Sequence, residues 1–182
     1  MAESGLHDFA LAKRKAAAGL GFSDPLFLPS NWEVEQALMD YQRLFQSHHQ
    51  PQALDMRREL AIQSMEFFAP FQPRLVGAVL SGTAGEYSDI QLHLFSDPPE
   101  AVALFLMEHR IPYQEGDKRL RINRDTFQSY PFYRFAAQNI GIELIVFAVD
   151  DLHHPPLSPV DGKPMRRASI DAVRRLLEKT DG

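Results

Sequence analysis

Asp89, Gln91 and His93 alternate along one short apolar segment, and a further acid, Glu143, lies well downstream. If the segment is a strand, these three side chains share one face, while Ile90, Leu92 and Leu94 share the other. Carboxylates at Asp89 and Glu143 can then meet across neighbouring strands. Magnesium is a hard cation that takes carboxylate oxygens together with substrate phosphates. Metal-clamped phosphoryl transfer needs at least two such groups around an in-line attack. Just upstream, Ser81-Gly82-Thr83 offers unobstructed backbone N–H groups and hydroxyls, the donors a phosphate requires. Gln91 breaks the pattern, because its amide oxygen can coordinate a metal but brings no charge to offset it. With His93, the set Asp89, Gln91, His93 and Glu143 describes a different, single-metal site, and a polar strand end that binds nothing is the plain alternative.

The flanking sequence predicts elements able to carry these groups. Arg74 to Leu80 reads as a strand, and the continuous apolar run from Leu75 places it inside a sheet. A second strand over residues 89–95 follows the small-residue turn. Ser96-Asp97-Pro98-Pro99-Glu100 is a helix start, and Val102 to Met107, apolar all round, predicts a helix packed against the sheet and not merely laid on it. Ile111 to Glu115 and Lys118 to Ile122 flank Gly116-Asp117 as a hairpin, and a polar loop around Asn123-Arg124-Asp125 leads to a strand from Phe132 to Ala137. After a tight Gln138-Asn139 turn, Ile140 to Ala148 alternates as a strand, with Glu143, Ile145 and Phe147 on one face.

Upstream, residues 1–21 form a short helix at best, with Lys13-Arg14-Lys15 as a solvated face. Ser30-Asn31-Trp32-Glu33 is a capping box that opens a helix over about residues 31–47. A second helix runs from Pro51 to about Ala69 with Leu54, Ala61, Met65 and Phe68 on one stripe, and His48-His49 lies in the turn between the two. The tail is turn-rich and proline-rich, and a last helix starts at Ser169. The chain therefore divides into an N-terminal helical region (1–72), an α/β core (73–150), and a proline-rich tail with a C-terminal helix (151–182).

The core resembles the signature of the nucleotidyltransferase superfamily, with its polymerase-beta-like fold. There a Gly-Ser turn is followed by an Asp-x-Asp pair opening the next strand, and a third carboxylate comes from a later strand. Ser81-Gly82-Thr83 stands at the turn, and Ser88-Asp89-Ile90-Gln91-Leu92 stands where the family commonly reads Ser-Asp-Ile-Asp-Leu. Glu143 matches the third acid. The likeness spans residues 74–148 and is nearest to the small bacterial members. It implies an α+β (α/β) fold with a mixed sheet of about five or six strands and flanking helices. It also implies transfer of a nucleoside monophosphate from a nucleoside triphosphate to an unknown acceptor. Magnesium or manganese would be held by Asp89, Gln91 and Glu143, catalysis would rest on Asp89 and Glu143, and Ser81, Gly82 and Thr83 would cradle the phosphates. Gln91 in place of the second acid implies the alternative of a degenerate relative that binds a nucleotide or a protein without turnover. An adaptor built on the N-terminal helices is a third reading. Arg74, Arg119, Arg121 and Arg134 could point to phosphates, as could Lys163, Arg166 and Arg167 from the tail, although surface roles are commoner for such residues.

Composition narrows the field. The net charge of -5 argues against nucleic acid as a general partner, since such proteins usually present a basic surface. No apolar run approaches the roughly eighteen residues of a membrane span, and no secretory signal is legible, so no membrane partner is expected. The chain has no cysteine, which removes disulfides, thiolate ligands and thiol nucleophiles and fits a cytoplasmic setting. There is no P-loop and no nucleophile elbow.

Overall fold

The computed structural model describes residues 29–45 and 50–179. The expected helix over 1–21, the Lys13-Arg14-Lys15 triplet and the His48-His49 turn lie outside them. Helix α1 (Asn31–Phe45) begins at the expected capping box, where the Ser30 hydroxyl accepts from the Glu33 N–H at 3.2 Å and the Glu33 carboxylate accepts from the Ser30 N–H at 2.7 Å. Helix α2 (Gln50–Phe67) follows and buries Leu60, Ala61 and Met65.

The protein is α+β. Its five-stranded mixed sheet is built from β1 (Arg74–Val76), β2 (Ile90–Phe95), β3 (Gln114–Arg121), β4 (Phe127–Ala137) and β5 (Ile140–Phe147), in the order β1-β2-β5-β4-β3. Only β2 and β5 run parallel; every other neighbouring pair is antiparallel. Helices α3 (Gly77–Ser81), α4 (Glu100–Glu108) and α5 (Ile170–Glu178), with short 3-10 turns at Ala69–Phe71 and Val149–His153, complete the described elements, and Ser169 caps α5 by accepting from the Ala172 N–H. Ile90, Leu92, Leu94, Ile142, Leu144 and Val146 line the helix-covered face and are all but fully buried. Each contributes roughly 1.5–3 kcal/mol by leaving water. The opposite face carries a smaller apolar cluster of Phe95, Tyr130, Ile145 and Phe147, together with the polar residues discussed below.

Three expectations need correction. The strand expected over 74–80 ends at Val76 and lies at the sheet edge, because Gly77 turns the chain at φ +72° and residues 77–81 wind into α3. The apolar content of that run is buried by the helix instead of by a central strand. Nor do Gly116-Asp117 make a hairpin: β3 passes straight through them, and the reversal falls at residues 122–126. Helix α4 is not enclosed all round, since Leu104 is 65% and Met107 61% exposed. The Gln138-Asn139 turn is as expected, with both residues at positive φ (51° and 62°). The outer edge of β1 is covered by the tail, where Leu75 and Ala168 exchange N–H···O bonds of 2.9 Å each. Among the described residues no helix is long and apolar enough to cross a membrane.

Candidate functional site

The sheet register brings the alternating polar residues together. Gln91 of β2 lies opposite Glu143 of β5, and Arg134 of β4 flanks Glu143 on its other side. Asp89 immediately precedes β2 and leans over the start of β5, where a Cβ on Gly141 would come within 2.2 Å of its Oδ1. Glycine at 141 is therefore what lets the Asp89 carboxylate settle on the sheet.

Both carboxylates already hold cations. Arg134 donates to Asp89 Oδ2 from Nε at 2.9 Å, and its Nη2 lies 2.8 Å from the same oxygen as an ion pair. The Lys118 ammonium donates to Glu143 Oε1, a pair in which each side chain is only 9% exposed. The Gln91 amide reaches the same Oε1 at 3.3 Å. On its other side the Gln91 Oε1 fills the space a Cβ on Gly77 would occupy, 2.2 Å away. Lys118 reaches Glu143 from the edge strand, its Nζ passing 5.8 Å from the Phe132 ring centroid. Gly116, which faces Phe132 in the register, adds no side chain to obstruct that approach.

These donor sets do not suit a divalent cation. A metal at Glu143 would have to displace a buried ammonium, whereas one at Asp89 would compete with the partly exposed Arg134 guanidinium, a weaker bar. No group of three His, Asp or Glu side chains able to hold a metal occurs among the described residues. His93 does not rescue a single-metal set. It is fully buried, and its Nδ1 accepts from Arg167 Nε at 3.0 Å. Burial, then the charges of Arg167 and Lys118, hold its pKa well below the ordinary value of 6.5, so the ring is neutral. Arg167 in turn donates from Nη1 to the carbonyls of Asp151 at 2.7 Å and Leu152 at 3.2 Å. Its guanidinium stacks on Phe95 and Phe147, 4.8 Å and 4.7 Å from their centroids.

Ser81, Gly82 and Thr83 do not join this site. The N–H groups of Gly82, Thr83 and Ala84 all converge on the Ala78 carbonyl at 3.0, 3.0 and 3.1 Å, closing α3 in a left-handed glycine cap at φ +88°. The Ser81 and Thr83 hydroxyls bond each other at 2.9 Å. Donors engaged in this way are not presented to a phosphate. A Cβ on Gly82 would lie 3.7 Å from Arg58, which places this turn against α2 on the helix side.

Instead, a cavity of about 480 Å³ opens beside Asp89, lined by Arg57, Tyr87, Tyr113, Arg134, Asn139 and Gly141 among others. Arg57 braces its rim, donating to the carbonyls of Ser88 at 2.8 Å and Ala53 at 3.1 Å and to that of Glu86. Burial lowers the Arg57 pKa, and the Glu86 and Asp89 carboxylates oppose that shift. Arg134 spends Nε and Nη2 on Asp89 and keeps Nη1 without a partner among the described residues.

Lys118 and Arg57 escaped the sequence reading, although each leaves a signal. Lys118 shares its strand phase with Leu120 and Ile122, so it is a cation on an apolar face that needs a buried carboxylate. Arg57 and Arg58 fall where the stripe Leu54, Ala61, Met65, Phe68 lacks its apolar member. No protein-family model matches the chain, and no curated protein matches it significantly in sequence.

Proposed function

We propose that this chain is a nucleotidyltransferase-like protein that has exchanged its metal site for ion pairs and serves as a metal-independent nucleotide-binding module. The observation that carries this reading is the pairing of each remaining carboxylate with a cation, Asp89 with Arg134 and Glu143 with Lys118. Gln91 fits the same logic: an aspartate there would place a second negative charge against Glu143, whereas the amide donates to it. A lysine positioned to neutralise Glu143 does the electrostatic work that a magnesium ion would do in a transferase, but it cannot activate a hydroxyl or clamp a leaving pyrophosphate.

The adjoining cavity has the make-up of a nucleotide pocket. Its volume of about 480 Å³ lies within the usual range for small-ligand sites. Tyr87 and Tyr113 offer ring faces for a base, and Asn139 and Gln114 offer amides for its edge. The unspent Nη1 of Arg134 can take a phosphate oxygen.

The test is calorimetric titration of nucleoside mono-, di- and triphosphates, with and without magnesium or manganese. The expected result is binding that does not depend on the metal, that falls in Arg134→Gln, and that is accompanied by no transfer of nucleoside monophosphate to any hydroxyl offered. Metal-dependent transfer by the wild-type chain, abolished in Asp89→Ala, would overturn the reading in favour of a working transferase. Failure of every nucleotide to bind would sink both.

A further inference from the structure

A second cavity, of about 360 Å³, lies at the β1 edge of the sheet, where the tail crosses β1 and α5 begins. Its charged lining is Arg74, Arg166 and Arg167, with the Ser169 hydroxyl beside them and no carboxylate. In a chain with a net charge of -5, a cavity wall of three arginines with no acid in it is not explained by a generally basic surface, and Asp151 is the one carboxylate whose charge acts on Arg167. Like charges brought together cost free energy, so a cluster of this kind has use for a counter-ion.

The hydrogen-bond inventory shows how much of each arginine is committed. Arg74 donates only from Nη1, to the carbonyls of Gln72 at 3.2 Å and Pro73 at 3.0 Å. Arg166 is exposed and makes no hydrogen bond or ion pair among the described residues. Arg167 is locked by Nε and Nη1 to His93, Asp151 and Leu152, while its Nη2 is buried with no partner. Burial lowers the Arg167 pKa to about 10; Asp151 and Tyr130 oppose that shift, and the charge of Arg74 adds to it. The guanidinium stays charged at neutral pH, and its orientation is set before any ligand arrives.

We propose that the cavity between Arg74, Arg166 and Arg167 binds a phosphate-chain anion, with pyrophosphate as its simplest form, at a site separate from the Asp89 cavity. Planar guanidinium forks match phosphate oxygens through paired N–H donors. Arg74 and Arg166 supply the donors from the two flanking segments, and Arg167, whose guanidinium is held by His93, Asp151 and Leu152, adds a fixed positive charge beneath them. The site does not depend on the nucleotide reading of the Asp89 cavity, and either can fail alone.

The experiment is calorimetric titration of the full chain with pyrophosphate and, in a second arm, with ATP, both at low ionic strength and without metal. Arg166→Gln and Arg74→Gln, changes at partly or fully exposed side chains, are each expected to weaken pyrophosphate binding by about tenfold or more, the loss of one charge-assisted contact. Arg119→Gln, an exposed arginine on β3, controls for charge alone and is expected to change affinity by less than about twofold. Equal affinity for ATP and pyrophosphate locates recognition in the phosphate chain. Tighter binding of ATP that is still lost in Arg166→Gln adds the nucleoside to the same site, and either pattern upholds the proposal. No pyrophosphate binding, or binding unchanged in both Arg166→Gln and Arg74→Gln, overturns it.

Discussion

Breaking the Lys118–Glu143 pair one side at a time should give unequal losses, because the two partners sit differently in the sheet. Both side chains are 9% exposed, so deleting either strands a buried charge, a change that typically costs about 3–5 kcal/mol. Lys118 lies on β3, the edge strand, and its four-carbon stem can swing the ammonium outward to water. Glu143 lies on β5, the central strand, between β2 and β4, and has no comparable exit. Glu143→Gln should therefore fall at the lower end, about 3 kcal/mol, and Lys118→Met at the upper end, about 5 kcal/mol. For a chain of this length, one kcal/mol moves the melting temperature by about 2–4 °C, so the expected falls are about 6–12 °C and 10–20 °C. The double variant Lys118→Met/Glu143→Gln strands neither charge and should melt within about 4 °C of the wild type. Urea unfolding at pH 7.5, followed by circular dichroism, gives all three free energies as a double-mutant cycle. Additive losses in the double variant, or a Glu143→Gln loss larger than that of Lys118→Met, would refute the reasoning.

Other outcomes follow from the same geometry. His93 is neutral and buried, with a folded pKa well below 6.5, so the unfolded chain takes up a proton that the folded chain refuses. Stability is then full above about pH 6.5 and falls as the pH drops below it, by at most about 1.4 kcal/mol per unit. His93→Gln, which keeps an acceptor for Arg167, should flatten that slope between pH 7 and 5 relative to the wild type; parallel slopes would count against a neutral ring. Gly141→Ala puts a methyl group 2.2 Å from Asp89 Oδ1 and 2.9 Å from Arg134 Nη2. It should cost about 1–3 kcal/mol by urea unfolding and reduce nucleotide affinity in parallel. Arg57→Met removes a guanidinium that holds the carbonyls of Ala53, Glu86 and Ser88. Amide exchange at residues 86–89 should accelerate while β5 stays protected, and an unaltered exchange pattern would show that the rim does not depend on Arg57.

Much of the scaffold was readable because local periodicity and local chemistry agreed. The capping box at Ser30 and Glu33, the alternation of β2 and β5, the Gln138-Asn139 reversal and the Ser169 cap are all short-range features, and all are present. The α+β class followed from them. Where readings failed, a tertiary contact had outvoted a local one. The apolar run after Leu75 fits a buried strand or a buried helix equally well by composition. Gly77 at positive φ, packed against Gln91, decides for the helix. Gly116-Asp117 resembles a turn in isolation, yet unbroken pairing with β4 keeps it extended.

For the candidate site, the sequence by itself determined which groups share a face: Asp89, Gln91 and His93 by their alternation in β2, and Glu143 by its alternation in β5. It also marked Gln91 as a missing charge. Only the tertiary structure decided what those groups do for one another. Lys118 is 25 residues from Glu143 and Arg134 is 45 from Asp89 along the chain, and no local pattern announces either pairing. Strand order and register create them, by laying β4 beside β5 and letting the edge strand reach inward over Gly116. Charge is read from composition, but whether a carboxylate faces a metal, a substrate or a lysine is set by distances of a few ångströms that only the folded sheet fixes.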